Sequence, residues 1–198
     1  MIGKGMAAVL GLLMLVAAQA PALAQSACTP LDPAACQPSN PALANIDIGR
    51  NILAFLGKEP GLLASYPTAK PPVDQWKARD DVFEILAGPA DAPVMLDKGL
   101  MMLTACRAHS CGEKAAMVLK PNGDVAAIAL LAIRYTNPAL REDQQVYQPS
   151  KLLVFVAKAE KAGASVPAIT AWAQRMYDAA RAGQLIKNKL EPAEIRVR

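Results

Sequence analysis

Residues 99–135, GLMMLTACRAHSCGEKAAMVLKPNGDVAAIALLAIRY, decide the fold. Three apolar runs, Gly99–Ala105, Ala115–Leu119 and Val125–Tyr135, are set apart by two polar interruptions. They read as strands, because the helical spacing found before them is lost here. The second interruption, Lys120–Asp124, contains Asn122-Gly123. Asn-Gly is a hairpin signal because both residue types tolerate positive φ. The block is therefore expected to be an antiparallel meander.

Toward the C-terminus, Asn137-Pro138 breaks the chain and Lys151–Lys158 reads as a further strand. Ser165–Gly183 is the clearest helix. Ser165 can cap it, Pro167 suits its first turn and Gly183 fits the residue beyond its end. Ile169, Trp172, Ala173, Met176 and Ala180 give it one apolar stripe, expected to pack in a core. The charged tail Glu191–Arg198 is expected to fray or to dock as an edge.

Toward the N-terminus, Asp74–Ala87 is expected to be helical. Trp76, Val82, Phe83 and Leu86 share one face, Asp74 serves as N-cap and Gly88-Pro89 is the stop. Three prolines make residues 66–72 a loop. Ile46–Leu56 reads as a short helix with Ile48, Ile52, Phe55 and Leu56 on one side, ended by Pro60-Gly61. Residues 26–45, rich in Pro, Ala, Ser and Asn, suggest an irregular arm pinned by Cys28–Cys36.

The first residues have the form of a secretory signal. Lys4 is followed by the uncharged apolar run Met6–Ala18, and Ala22-Leu23-Ala24 gives the small-x-small pattern that precedes cleavage. Cleavage after Ala24 and a periplasmic destination are expected. No later stretch is apolar for long enough to span a bilayer. The organisation expected is a signal peptide at 1–24, an arm at 25–45 and a single α+β domain at 46–198.

The formal charge of +4 falls to +3 without Lys4, too small a balance to argue for nucleic acid as a partner. All four cysteines, Cys28, Cys36, Cys106 and Cys111, lie beyond the signal. In an exported chain an even count reads as disulfides. Of three connectivities, sequence proximity favours Cys28–Cys36 with Cys106–Cys111. Neither pair is Cys-x-x-Cys, so a redox role has little support. Cys106, His109 and Cys111 lack a fourth metal ligand nearby, so neither a metal nor any other cofactor is expected.

Catalysis is not expected either. The single histidine cannot define a triad, and neither Gly-x-Ser-x-Gly nor His-Glu-x-x-His occurs. Asp80, Asp81 and Glu84 read as a solvated helix face, as does the run Arg141-Glu142-Asp143.

The informative loop is Cys106-Arg107-Ala108-His109-Ser110-Cys111 between two strands. It resembles the inhibitor of vertebrate lysozyme family, often called Ivy, whose members carry a disulfide-closed Cys-Lys-Pro-His-Asp-Cys loop. Both cysteines and the histidine are in register. Gly112 and the strands Leu100–Leu103 and Ala115–Leu119 are similar as well. Arg107 keeps the charge of the family lysine, Ala108 lacks the proline's φ restraint and Ser110 lacks the aspartate's charge. The resemblance covers roughly residues 95–135. It implies an α+β fold with an antiparallel sheet and flanking helices. It also implies a lysozyme or a related peptidoglycan-cleaving enzyme as partner, and it allows a homodimer. In that family the loop enters the target's active-site cleft. His109 would face the catalytic carboxylates, with Arg107 and Ser110 flanking the contact. The alternative reading is an envelope binding or assembly module on the same scaffold.

Overall fold

The computed structural model describes residues 46–62, 77–108, 110–134, 149–182 and 189–198. Outside them lie the expected signal segment and arm with Cys28 and Cys36, the 66–72 loop, Asp74, Trp76, His109, Asn137-Pro138, Arg141-Glu142-Asp143 and Gly183.

The chain forms α1 (Ile46–Leu56), α2 (Ala78–Leu86), β1 (Val94–Met95), β2 (Met101–Arg107), β3 (Ser110–Leu119), β4 (Val125–Ala132), β5 (Lys151–Val156), α3 (Ser165–Ala182) and β6 (Glu194–Val197). The six strands make one sheet in sequence order. Every neighbouring pair is antiparallel except β5 and β6, which are parallel. A parallel pair needs a crossover between its strands, and α3 lies in that connection. The α+β class expected from the sequence is the one found.

Helices cover both faces of the sheet. Met101, Leu103, Ala115, Met117, Ile128, Leu130 and Phe155 face Ile48, Ile52 and Leu56 of α1 and Val82, Ile85 and Leu86 of α2. The intervening residues Met102, Val118, Ala129, Leu131, Val154 and Val156 face Ile169, Trp172, Ala173 and Tyr177 of α3. This two-sided cover explains why β4, VAAIALLA, is buried at every position. A strand packed on both faces has no solvent side on which to alternate. Each of the larger aliphatic side chains so buried contributes roughly 1.5–3 kcal/mol of transfer free energy.

Several local expectations are corrected. α1 is not among them: it spans the expected Ile46–Leu56, the Gly57 N–H still donates to the Leu53 carbonyl at 3.0 Å, and Pro60-Gly61 follows. α2 begins at Ala78, so Asp74 is not its cap. Lys77 is extended and bridges to Pro60, and its N–H donates to the Asp80 carboxylate at 3.3 Å. Ser165 lies inside the first turn of α3. Its hydroxyl is buried with no hydrogen-bond partner among the described residues, so it does not cap the helix. Tyr177 joins the buried face of α3, while Met176 and Ala180 are only partly buried. The acidic face of α2 is not uniformly solvated, because Asp81 is fully buried.

In the Lys120–Asp124 turn only Gly123 has positive φ, at 84°. Leu119 pairs with Val125, so the connection has five residues and is not a two-residue Asn-Gly turn. The Lys120 N–H donates to the Asp124 carbonyl at 2.8 Å, and the Asn122 side-chain amide donates to the Asp124 carboxylate at 2.9 Å.

Candidate functional site

The site is the connection between β2 and β3. Arg107 pairs with Ser110 across the ladder, with two residues between them in the sequence, of which Ala108 is described. One step back, Cys106 pairs with Lys114. Cys111, Gly112 and Glu113 are therefore extra residues on β3, forming an enlarged bulge. β3 stays attached to β4 through this bulge. Glu113 pairs with Ala132, and the Ile133 N–H donates to the Gly112 carbonyl at 2.7 Å.

A disulfide joins Cys106 to Cys111, with Cα atoms 4.8 Å apart. Cys106 is buried, whereas Ala108 and Cys111 are exposed. The bridge thus ties the solvent side of the loop to a residue fixed in the sheet. A bridge over so short a ring contributes about 2 kcal/mol by limiting the unfolded chain.

The outer edge of β2 is covered where the loop begins. The Cys106 N–H donates to the Pro89 carbonyl at 3.0 Å, Ala90 bridges to Ala105, and the Asp91 N–H donates to the Thr104 carbonyl at 2.9 Å. The Thr104 hydroxyl returns a hydrogen bond to the Asp91 carboxylate at 2.7 Å. Gly88 allows this close approach. A Cβ there would lie 2.0 Å from the Cys106 carbonyl oxygen and 2.8 Å from the Ala108 nitrogen.

Side chains add a second fastening. The Arg107 guanidinium donates from Nη1 to Glu113 Oε2 at 2.7 Å and from Nη2 to Glu84 Oε1 on α2. Hydrogen bonding to Glu113 raises the Arg107 pKa above its ordinary value, with burial acting the other way and Glu84 adding to the rise. Beside the disulfide, burial lowers the pKa of the Lys114 ammonium, while the charge of Asp91 acts to raise it.

The structure therefore places Cys106, Arg107, Ala108, Ser110 and Cys111 together. His109 lies outside the described residues. Glu84, Gly88, Asp91 and Glu113 are partners that sequence reasoning missed. Glu113 had a visible signal, as an acid entering an otherwise apolar strand. Gly88 was legible only as a helix stop, since its contact comes from residues 18 or more positions away in the chain. Among the described residues no cluster of His, Cys, Asp and Glu could hold a metal.

Compared with known families, residues 74–162 match the family described as Inhibitor of vertebrate lysozyme (Ivy). Over this segment the chain is similar to that family. The Ivy match takes in α2, β1 to β5 and the whole closed loop. α1, α3 and β6 lie outside it. No curated protein and no solved structure matches the chain. No helix among the described residues is long and apolar enough to cross a membrane.

Proposed function

We propose that the protein is a stoichiometric inhibitor of a peptidoglycan-cleaving lysozyme, acting through the loop Cys106-Arg107-Ala108-His109-Ser110-Cys111. The observation that carries this reading is the disulfide-closed hairpin tip inside the Ivy match. A loop ordered before binding loses less conformational entropy when it docks. Lysozymes use two carboxyl groups, one protonated and one ionised. In retaining glycosidases such groups stand about 5 Å apart. A neutral imidazole can donate to the carboxylate and accept from the acid, and an imidazolium can donate to both. His109 would occupy the sugar site in this way and offer no glycosidic bond to cleave.

The fold supports a single domain over 46–198, because α1, the sheet and the C-terminal strand share one body. A signal peptide cleaved after Ala24, an arm at 25–45 and a periplasmic setting complete the proposal, and the Cys106–Cys111 disulfide is in keeping with export. The formal charge, +4 for the whole chain and +3 once Lys4 is removed, would not steer the protein toward a basic lysozyme. Shape and hydrogen bonding must therefore supply most of the affinity.

The test is inhibition of lysozymes of several classes on cell-wall substrate, with His109→Ala beside the wild type. The expected result is stoichiometric inhibition by the wild type, weakened at least a hundredfold in the variant, with unfolding unchanged. Equal inhibition constants would reject the role of His109. No inhibition of any lysozyme would favour the envelope-module alternative, and spontaneous wall breakdown would indicate an enzyme.

A further inference from the structure

We infer that Arg107 is a positioning residue for the inhibitory loop, and that Glu84 and Glu113 act on the loop through it. This rests on the proposed inhibitor function for its consequence, but not for its geometry.

Arg107 sits one residue from the tip, where a cation could simply face a partner. Its guanidinium is instead engaged at both ends within its own chain, Nη1 by Glu113 and Nη2 by Glu84. The two carboxylates come from different elements, Glu84 from α2 and Glu113 from the bulge of β3. The Glu113 side chain is only 10% exposed and that of Arg107 28%. The pair is thus partly shielded from solvent, which strengthens it relative to a surface ion pair. Arginine fits such a place because its planar fork can serve two acceptors in fixed directions, whereas lysine offers one mobile point charge.

The fastening has a defined task. The disulfide closes the ring but does not set its direction relative to α2. The Pro89–Cys106 hydrogen bond and the contact at Gly88 hold the base of the loop. Arg107 is the link between the tip-side backbone and the helix. With that link removed, the ring would stay closed and sample more orientations, so its target would hold a less ordered loop. The loss should appear mainly in dissociation, because mutants of one interface vary most in that rate.

The experiment compares wild type with Arg107→Gln, Arg107→Lys, Glu84→Gln and the double variant Arg107→Gln/Glu84→Gln. Two rates are measured. One is dissociation from an inhibited lysozyme. The other, without lysozyme, is reduction of Cys106–Cys111 by dithiothreitol, followed by mass spectrometry of the alkylated peptide. Arg107→Gln should raise both rates about three- to tenfold, and Arg107→Lys should recover part of the loss. Glu84→Gln should act in the same direction, and the double variant should be no worse than Arg107→Gln alone. Unchanged reduction rates in Arg107→Gln and Glu84→Gln, with folding intact, would overturn the inference. So would additive effects of the two substitutions on dissociation, because Glu84 would then act directly. A wild type that inhibits no lysozyme, with faster reduction in the variants, would leave the anchor standing and remove the inhibitor reading.

Discussion

At the scale of single residues, the site depends on what is missing at position 88. The hypothetical Cβ at Gly88 falls 2.0 Å from a backbone oxygen, that of Cys106, which cannot swing aside as a side-chain tip would. Gly88→Ala must therefore displace either the end of α2 or the base of the loop. Overpacking of this kind costs roughly 1–3 kcal/mol. Urea unfolding of the variant should show a midpoint shift of that size with an unchanged slope, and its disulfide should reduce faster than in the wild type. Unaltered stability would mean that helix and loop are not held in the contact seen here. Gly88 also shows where residue-level legibility ends. The sequence shows a glycine before a proline at a helix end, but not the strand that arrives there from nearly twenty residues later. Asp81 is a parallel case. Asp80 precedes it and Glu84 lies one turn on, but its buried position follows from packing, which composition does not carry.

At the scale of elements, periodic patterns were legible and boundaries were less so. α1 spans the expected residues because Ile48, Ile52 and Leu56 fall one turn apart and all reach the core. α2 starts four residues later than its apolar spacing suggests, because Lys77 is drawn into a bridge with Pro60. β3 begins at Ser110 where Ala115 was expected. Its polar start, Ser110–Lys114, is shaped by the disulfide and bulge and lacks apolar alternation. The closed hairpin follows from two cysteines at the right spacing, and it makes its own prediction. In Cys106→Ser/Cys111→Ser the β2–β3 ladder from Met101 to Leu119 should persist, since its pairing is independent of the bridge. Stability should fall by about 2 kcal/mol. Inhibition should fall by more than that figure would suggest, because the tip then loses order in the folded state as well. Circular dichroism, chemical unfolding and lysozyme titration of one sample would separate these effects. Inhibition fully retained by the double variant would show that closure of the ring is dispensable.

At the scale of the whole molecule, the last strand completes the sheet rather than trailing from it. The tail was expected to fray or to dock as an edge, and docking is what occurs. β6 lies along β5, with the Arg198 N–H donating to the Val156 carbonyl and the Lys158 N–H donating to the Arg198 carbonyl, both at 2.8 Å. Its arginines reach back across the chain to the end of α1 and the residues just after it, the Arg198 Nε donating to the Phe55 carbonyl at 3.2 Å. Arg196 and Arg198 both contact the Glu59 carboxylate, and the Arg196 guanidinium lies 5.7 Å from the centre of the Phe155 ring. These contacts join the two ends of the described fold, 137 and 139 residues apart in sequence. Such pairings were not legible because nothing local marks Glu59 as a partner of the tail. β5, KLLVFV, is buried at five of its six positions, so its edge needs a cover. An uncovered, apolar and uninterrupted edge strand is a template for pairing between chains. Truncation after Ala193 should therefore do more than lower stability. It should make the protein associate in proportion to concentration, seen as a rising mass in light scattering, while the disulfide loop at the far side of the sheet order remains closed. Glu59→Gln should weaken the same attachment by a smaller amount, about 1 kcal/mol, since its pairs are partly exposed. A truncated chain that stays monomeric with an unchanged unfolding midpoint would show that β6 contributes nothing to the integrity of the sheet.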